Sequence, residues 1–259
     1  TTVNAYLSTG DLTATGLAAG GAYGVIGNGS VANGITLAGY AAAATAATLN
    51  ISGGTTAGAI TLSGTGLTST TVNSTGAANT IGALTLAATT TALTVDATTA
   101  LTTGAVSNTG AAAVTSLTVK GAGAVNLSTT ALEATVATID ASANTGGVTF
   151  KMPTLVSAKV TGGTGNDVIT TNSVLTTGSV DAGAGTDTLD LGTNVSHANT
   201  ASLAAKYTNF ENLRVNGTFD ASLISGITGI QLSGATNSIT GLSATQAANV
   251  QARADIGAT

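Results

Sequence analysis

Residues 60–64 read Ile-Thr-Leu-Ser-Gly, a phrase in which apolar and polar residues alternate until a glycine ends it. Phrases of the same kind return at residues 84–86, 93–96, 117–121 and 125–128. Alternation with a period of two is typical of a half-buried β-strand, and the Gly and Asn residues between the phrases favour turns. The sequence therefore predicts many short strands joined by tight turns.

The spacing of these phrases indicates how the strands are arranged. In three pairs of phrases, the last apolar residues are the same number of positions apart along the chain. These pairs are Leu62 and Leu86, Val95 and Val119, and Leu191 and Val215. We call this separation the coil step, because a recurring step of this size is typical of solenoids, in which each coil of chain stacks on the previous one. We predict an all-β fold, a parallel β-solenoid or β-roll-like stack of short strands, with an irregular β-sandwich array as the alternative.

The composition suits a narrow coil. Thr, Ala and Gly make up more than half of the 259 residues, while 7% of the residues are charged, 3% are aromatic and none is Cys. A narrow coil accepts only small or β-branched inward side chains, and outward threonines keep a good strand propensity. Without Cys, neither disulfides nor thiolate metal sites can form.

The same numbers weigh against two classes of partner. Six scattered Lys and Arg residues and a net charge of −5 do not provide a track for nucleic-acid phosphates. The most apolar stretch, residues 37–49, is too short for the roughly 20 residues of a membrane-spanning helix. We therefore expect neither nucleic-acid binding nor membrane insertion.

Two short helices interrupt the predicted strands. The first follows Asn199, where Leu203, Tyr207 and Phe210 would share one helical face. The second follows Ser243, where a Gln three residues later completes a capping-box pattern. We expect few other helices, because Gly and Thr interrupt the Ala-rich stretches.

A compositional boundary lies at Pro153, the only proline. Residues 1–152 form an almost uncharged Ala/Thr/Gly-rich strand array, whereas residues 153–259 contain more acids, Asn and aromatic residues. We predict two subregions that share one core: the strand array and a calcium-binding, β-roll-like segment with short helices.

Four of the 11 acidic residues lie close together between residues 167 and 190, with no Lys or Arg among them, and such a cluster needs a cation. Residues 162–170 read GGTGNDVIT and match G-G-x-G-x-D-x-U-x, a calcium-binding β-helix repeat. Residues 182–190 read AGAGTDTLD and repeat the pattern with Ala in the first position.

The chemistry of this pattern favours calcium. Glycines permit positive φ, so that a turn can direct several carbonyls inward, and the Asp adds a charged oxygen. Turns of successive coils, about 4.8 Å apart, can then enclose one hard cation with six to eight oxygen ligands, a flexible cage that suits calcium better than magnesium. The predicted metal-binding residues are Gly162, Gly163, Thr164, Gly165, Asn166, Asp167, Asp181, Gly183, Gly185, Asp187 and Asp190.

The two nonapeptides resemble the repeats-in-toxin (RTX) calcium repeats, and residues 163–215 with their Ala/Thr/Gly-rich flanks resemble the crystalline surface-layer (S-layer) proteins of the Caulobacter type. By position, the resemblance implies turn carbonyls at residues 162–166 and 182–186 as ligands, with sixth-position carboxylates at Asp167 and Asp187. Asp181 and Asp190 match no fixed position of the repeat, and their inclusion rests on charge.

The resemblance also implies where such a protein works. It implies a bacterial protein secreted by a type I system, whose calcium-dependent β-rich domain assembles with its own copies into a two-dimensional lattice on the cell surface. We expect any polysaccharide anchor to the cell to lie in regions outside these residues.

The sequence departs from a regular β-roll in two ways. Residues 171–177 supply no third Gly-rich turn, and the second motif starts two positions later than a spacing of two nonapeptides would place it. We therefore expect roughly one to three calcium ions in this segment. Weaker candidates for isolated sites are Asp11, Asp96, Asp140 and Asp220, each beside turn residues.

No nucleophile elbow, phosphate-binding glycine loop or dinucleotide-binding turn occurs in the sequence. We predict a structural, calcium-binding segment of a self-assembling surface-layer protein and no enzymatic activity. The alternative is an RTX adhesin, or the accessory calcium roll of a secreted enzyme. Ranked hydroxyls that bind ice or carbohydrate are a minor alternative, because Thr-x-Thr motifs such as residues 13–15 and 68–70 fall irregularly.

Overall fold

In the computed structural model, which describes residues 2–7, 10–27, 35–37, 40–108, 110, 114–234 and 236–253, the chain winds into a parallel β-solenoid of about ten coils. Two long sheets of ten strands each run along it, and a five-stranded short sheet covers a third side of its N-terminal part. The fold predicted from the strand phrases is confirmed.

The first long sheet extends from the N-terminal end of the solenoid and ends before the last coils. Its members are β1 (Thr2–Tyr6), β3 (Ala22–Ile26), β5 (Ala46–Ser52), β8 (Ser69–Thr75), β11 (Ala92–Ala97), β14 (Ser116–Gly121), β16 (Thr138–Asn144), β18 (Lys159–Thr161), β20 (Ser179–Asp181) and β22 (Tyr207–Thr208).

The second long sheet follows the first around a corner of the coil. Its members are β6 (Thr56–Ala57), β9 (Asn79–Ile81), β12 (Leu101–Thr103), β15 (Val125–Ala131), β17 (Val148–Lys151), β19 (Val168–Thr170), β21 (Thr188–Gly192), β23 (Asn212–Val215), β25 (Gly229–Leu232) and β27 (Val250–Ala252).

The remaining described strands form two smaller sheets. The short sheet contains β2 (Leu12–Ala14), β4 (Ile35–Leu37), β7 (Ile60–Leu62), β10 (Leu84–Leu86) and β13 (Val106–Asn108). A separate pair near the C-terminal end joins β24 (Thr218–Asp220) and β26 (Ser238–Thr240).

The register of the strands explains the predicted coil step. Val95 pairs with Val119 across one coil, as the coil step predicts. In the C-terminal part the same step pairs Leu189 with Leu213, whereas Val215 pairs with Gly192 because the register shifts after Asp190. The coil step is therefore correct there, but it does not join Leu191 to Val215.

Stacked inward side chains build the core. In the first long sheet the inward column of Tyr23, Leu49, Val72, Val95 and Val119 is buried, with one member from each successive coil. Because the coils stack in parallel, each side chain packs against the equivalent residue above and below it. Three of its five members are the β-branched Val, whereas Tyr23 and Leu49 show that the coil nearer the N-terminus also accepts larger side chains.

The short sheet ends at β13, well before Pro153. Both oxygens of the Glu133 carboxylate accept backbone N–H groups there, from Asn108 at 2.6 Å and from Val114 at 3.3 Å. Glu133 thus satisfies donors at the place where the sheet stops. Strands β5 to β13 alternate among the three sheets, whereas strands β14 to β23 alternate between the two long sheets.

The long sheets continue through the compositional boundary at Pro153. Strand β16 pairs with β18, and β17 pairs with β19, so both sheets join residues from before and after the proline. One hydrophobic cluster extends from Leu17 to Ile230. Residues 1–152 and 153–259 therefore share a continuous core, and the change in composition is not a break in the fold.

The two predicted helices have different outcomes. Helix α2 (Ala244–Ala248) has the expected capping box, with the Gln246 N–H donating to Ser243 Oγ at 3.2 Å. Helix α1 (Ala201–Ala204) is a single turn, and the predicted shared face is wrong because Tyr207 lies in β22, paired with Val180. No helix in the described part of the chain is long and apolar enough to cross a membrane.

Candidate metal centre

The two Gly-rich turns lie one above the other at the corner between the long sheets. The first connects β18 to β19 and the second connects β20 to β21. Backbone hydrogen bonds join them, from Ala184 N to Gly163 O at 2.9 Å and from Thr188 N to Asp167 O at 2.8 Å. The separation of the two motifs along the sequence is thus one coil, and the predicted stacking of the turns is present.

The glycines of the two turns serve different needs. Gly183 and Gly185 have φ of +90° and +144°, which L side chains rarely adopt. In the first turn, Gly162 and Gly163 provide space, since a Cβ at either would overlap with a carbonyl oxygen, of Ala182 or of Asn144. The predicted positive φ therefore applies to the second turn, whereas close approach applies to both turns, since a Cβ at Gly183 would overlap with the Gly163 carbonyl oxygen.

Asp167 and Asp187 point into this corner, where both are buried. The Asp167 oxygens accept N–H groups from Val148 at 2.8 Å and from Gly163 at 3.1 Å. Asp187 Oδ1 accepts the Asp167 N–H at 2.6 Å, and Glu211 Oε2 accepts the Asp187 N–H at 2.8 Å. Each carboxylate therefore receives an N–H group from the coil before it, and we call Asp167, Asp187 and Glu211 the acidic column.

One oxygen of the acidic column has no partner. Asp187 Oδ2 is buried and makes no hydrogen bond within the described residues. Burial, followed by the charges of Asp167 and Glu211, raises the pKa of Asp187 to about 6, although the hydrogen bond from the Asp167 N–H opposes this. Burial also raises the pKa of Asp167. With a pKa of about 6, Asp187 is mostly ionised at neutral pH, and no cationic side chain of the described residues pairs with it.

The other two predicted acids lie apart from the column. Asp181 is exposed, and its Oδ1 accepts the Gly183 N–H at 3.0 Å and Asn209 Nδ2 at 2.7 Å. Asp190 forms an ion pair with Arg214, at 2.7 Å from Nη1, on the second long sheet. The four acids therefore do not converge on one point, and Arg214, which pairs with Asp190 from the next coil, supplies the cation for Asp190.

The remaining predicted ligands belong to the turns themselves. The Thr164 N–H donates to Asn144 O at 3.0 Å, and Asn166 Oδ1 accepts the Thr186 N–H at 2.9 Å. Within the described residues, no three His, Asp or Glu side chains are grouped as a ready-made metal site. A cation at this corner would thus depend on the acidic column and on turn carbonyls.

The predicted metal-binding residues do not include Glu211. Glu211 lies one coil beyond Asp187, at the same coil step that relates Leu189 to Leu213. Applying the predicted coil step to Asp187 would have found it. The residues immediately before β19, β21 and β23 are the three acids of the column.

The weaker candidates have partners of their own. Asp96 pairs with Lys120 at 3.0 Å. Asp140 and Asp220 each accept the N–H and Oγ of the Ser two residues later, and these hydrogen bonds lower the pKa of both carboxyls. These three carboxylates therefore act in turns or ion pairs. Asp11 also has a partner in the structure.

The chain matches no protein-family model, no curated protein and no solved structure.

Proposed function

We propose that this chain is a structural, calcium-binding β-solenoid segment of a self-assembling bacterial surface layer, secreted and located outside the cell. The observation that carries the proposal is Asp187 Oδ2, which is buried at two stacked Gly-rich turns and has no hydrogen-bond partner among the described residues. A buried carboxylate oxygen without a hydrogen bond is costly, and a hard cation is the partner that an acceptor-only group at a turn can take.

In this proposal calcium neutralises the acidic column. Asp187 Oδ2 would be a charged ligand, and carbonyls of the turns at residues 162–166 and 182–186 would provide neutral oxygens. In the folded turns, the hydrogen bonds from Val148, Gly163 and Asp167 orient the carboxylates of Asp167 and Asp187. Ion binding and ordering of the turns are then coupled, so that calcium outside the cell completes folding there.

The proposed partners are further copies of the same chain in a two-dimensional lattice. The outward faces are polar and nearly uncharged: Thr48, Thr71, Thr94 and Thr118 occupy one register position on successive coils of the first long sheet. Faces of this kind can pack closely against each other because few charges need to be desolvated.

The test is a calcium titration of the chelator-treated chain, in which circular dichroism and light scattering are recorded at each calcium concentration. We expect a gain in β structure and growth into large ordered particles. Folding without particle growth would instead favour the adhesin or accessory roll. No response at millimolar calcium would contradict the metal site.

Matched variants locate the ion. The double variant Asp167→Asn/Asp187→Asn should lose the response to calcium. Asp140→Asn/Asp220→Asn should keep it, because these two carboxylates hydrogen-bond to Ser142 and Ser222. Equal calcium affinity in the two double variants would remove the acidic column from the mechanism.

A further inference from the structure

A polar hollow of about 150 Å³ lies at the C-terminal end of the second long sheet. Gly229 of β25 lies beside Asn212 of β23, and Asn249 precedes β27 in the next coil. Because Gly229 has no side chain, Asn212 Oδ1 lies against its backbone, and the hollow is the gap that remains beside these two residues. Amide side chains dominate its lining, namely those of Asn212, Gln231, Asn249 and Gln251. We call this gap the amide hollow.

Some polar atoms of these amide side chains make hydrogen bonds to described residues, and others do not. Gln231 Oε1 accepts Nε and Nη2 of Arg214 and Nη1 of Arg253, all at 3.2 Å, so its Nε2 remains a donor with a fixed direction. Asn249 Nδ2 donates to two backbone carbonyls, so its Oδ1 remains an acceptor. The side chains of Asn212 and Gln251 make no hydrogen bond to any described residue.

This set of groups matches hydroxyls. The residues that line the hollow are neutral and offer both hydrogen-bond donors and acceptors. They therefore complement sugar hydroxyls, because each hydroxyl can donate one hydrogen bond and accept another. The volume is smaller than the roughly 300–1,000 Å³ of pockets for drug-sized ligands and suits a single sugar ring. We propose that the amide hollow binds a neutral saccharide, with the amides of Asn212, Gln231 and Gln251 bonded to its hydroxyls.

The expected affinity is weak, on the order of 1 mM, because none of the described residues that line the hollow is aromatic and hydrogen bonds exchanged with water contribute little each. Such a site would act through many copies in an assembly rather than through one chain. The proposal does not depend on calcium, since neither Asp167 nor Asp187 lines the hollow.

The experiment is NMR titration of the full chain with N-acetylglucosamine, galactose, mannose and glucuronate in separate samples. At least one neutral sugar should shift the signals of residues 212, 228–231 and 249–251. In Asn212→Ala/Gln251→Ala the Kd for that sugar should rise about tenfold or more, since two of the three proposed amide partners are lost. Thr102→Ala, a half-buried residue of the same sheet, is the control and should leave the Kd unchanged.

Three results would overturn the proposal: no localised shift with any neutral sugar, an unchanged Kd in the double variant, or binding of glucuronate alone that Arg253→Gln abolishes. The last result would identify an anion site at the guanidinium instead. Asp167→Asn/Asp187→Asn should bind the sugar normally, so failure of the calcium site and failure of the amide hollow can be told apart.

Discussion

The N-terminal and C-terminal parts of the solenoid solve the same structural problem at the same corner with different chemistry. In the N-terminal part, Asn79 Oδ1 accepts the Thr55 N–H at 2.9 Å, an N–H group from the coil before it. In the C-terminal part, Asp167, Asp187 and Glu211 accept the equivalent N–H groups. The corner position between them is apolar, with Leu101, Val125 and Val148 in successive coils.

The two kinds of corner differ in the other polar atom of the side chain, the one that does not accept the N–H group of the preceding coil. Asn79 Nδ2 donates to Ile51 O, Ser74 Oγ and Thr75 O, so the amide is satisfied at both ends. A carboxylate cannot donate, and Asp187 Oδ2 has no hydrogen-bond partner among the described residues. We call the corner at Asn79 the amide corner and the corner at Asp167, Asp187 and Glu211 the carboxylate corner. The hydrogen-bonding groups of the amide corner are therefore satisfied by the protein, whereas the carboxylate corner requires a proton or a cation.

The largest change in the free energy of unfolding is expected when a carboxylate replaces the Asn79 amide in the N-terminal part. Asn79→Asp keeps the acceptor for Thr55 but removes the Nδ2 donor, whose two N–H groups are shared among three acceptors, and buries a charge, which should cost about 3–5 kcal/mol at neutral pH. Urea unfolding measures it. Asn50→Asp is the control, because Asn50 Oδ1 only accepts from Asn73 Nδ2 at the half-buried outward face. Equal losses would show that burial at the corner is irrelevant.

The second prediction concerns space at the corner. Gly162→Ala should destabilise the chain by about 3 kcal/mol, since its Cβ would overlap with the Ala182 carbonyl oxygen. Gly54, at the same corner in the N-terminal part, has φ of +77° but open space, with its nearest neighbour, Ala77 Cβ, at 3.7 Å. Gly54→Asn should therefore cost less than about 1 kcal/mol, because Asn tolerates this φ. Thermal unfolding of both variants decides the comparison.

The third prediction is a dependence on pH confined to the carboxylate corner. The pKa of Asp187 is raised from 3.8 to about 6, so the folded chain holds this proton more tightly than the unfolded chain. Without metal, stability should therefore fall by roughly 1–3 kcal/mol as the pH rises from about 4 to 6. Urea midpoints of the chelator-treated chain measure this.

Asp187→Asn tests the origin of that dependence. The variant should remove most of the loss between about pH 4 and 6 and be more stable than the parent at neutral pH when metal is absent. Asp140 and Asp220 do not interfere, because their lowered pKa values place their effect below about pH 4, where stability falls as the pH falls. An unaltered pH profile in Asp187→Asn would contradict the assignment.

The smallest effects concern the ion pairs. Asp190–Arg214 in the C-terminal part has side chains 14% and 21% exposed, whereas those of Asp96–Lys120 are 33% and 45% exposed. Arg214→Met should cost about 1–2 kcal/mol and Lys120→Met less than about 1 kcal/mol. Urea unfolding at low and high salt measures both; a larger loss for Lys120→Met would reverse the ranking by burial.

A row of Thr and Ser positions on the short sheet cannot be recognised in the sequence, because it forms only when the coils stack. Thr-x-Thr motifs are irregular along the chain, yet Thr13, Thr36, Thr61, Thr85 and Ser107 hold one register position on the short sheet. Their neighbours are one coil away rather than two residues away, and coil lengths vary. A motif search within single strands cannot detect such a ladder.

The sequence by itself determined the strand phrases, the coil step and the two Gly-rich turns, because alternation, glycine and spacing act locally. It also predicted α2, whose capping box lies within four residues. It misjudged the region around Tyr207, since pairing with Val180 overrides helical spacing.

Only the tertiary structure decided the chemistry of the corner. It separated Asp190 from the turns through Arg214, added Glu211 to the acidic column and left Asp187 Oδ2 without a partner. Each of these facts depends on which residue lies one coil above or below another. Coil lengths vary with the turns, so the register that places one carboxylate beside an N–H group and another beside a guanidinium is fixed only when the coils stack.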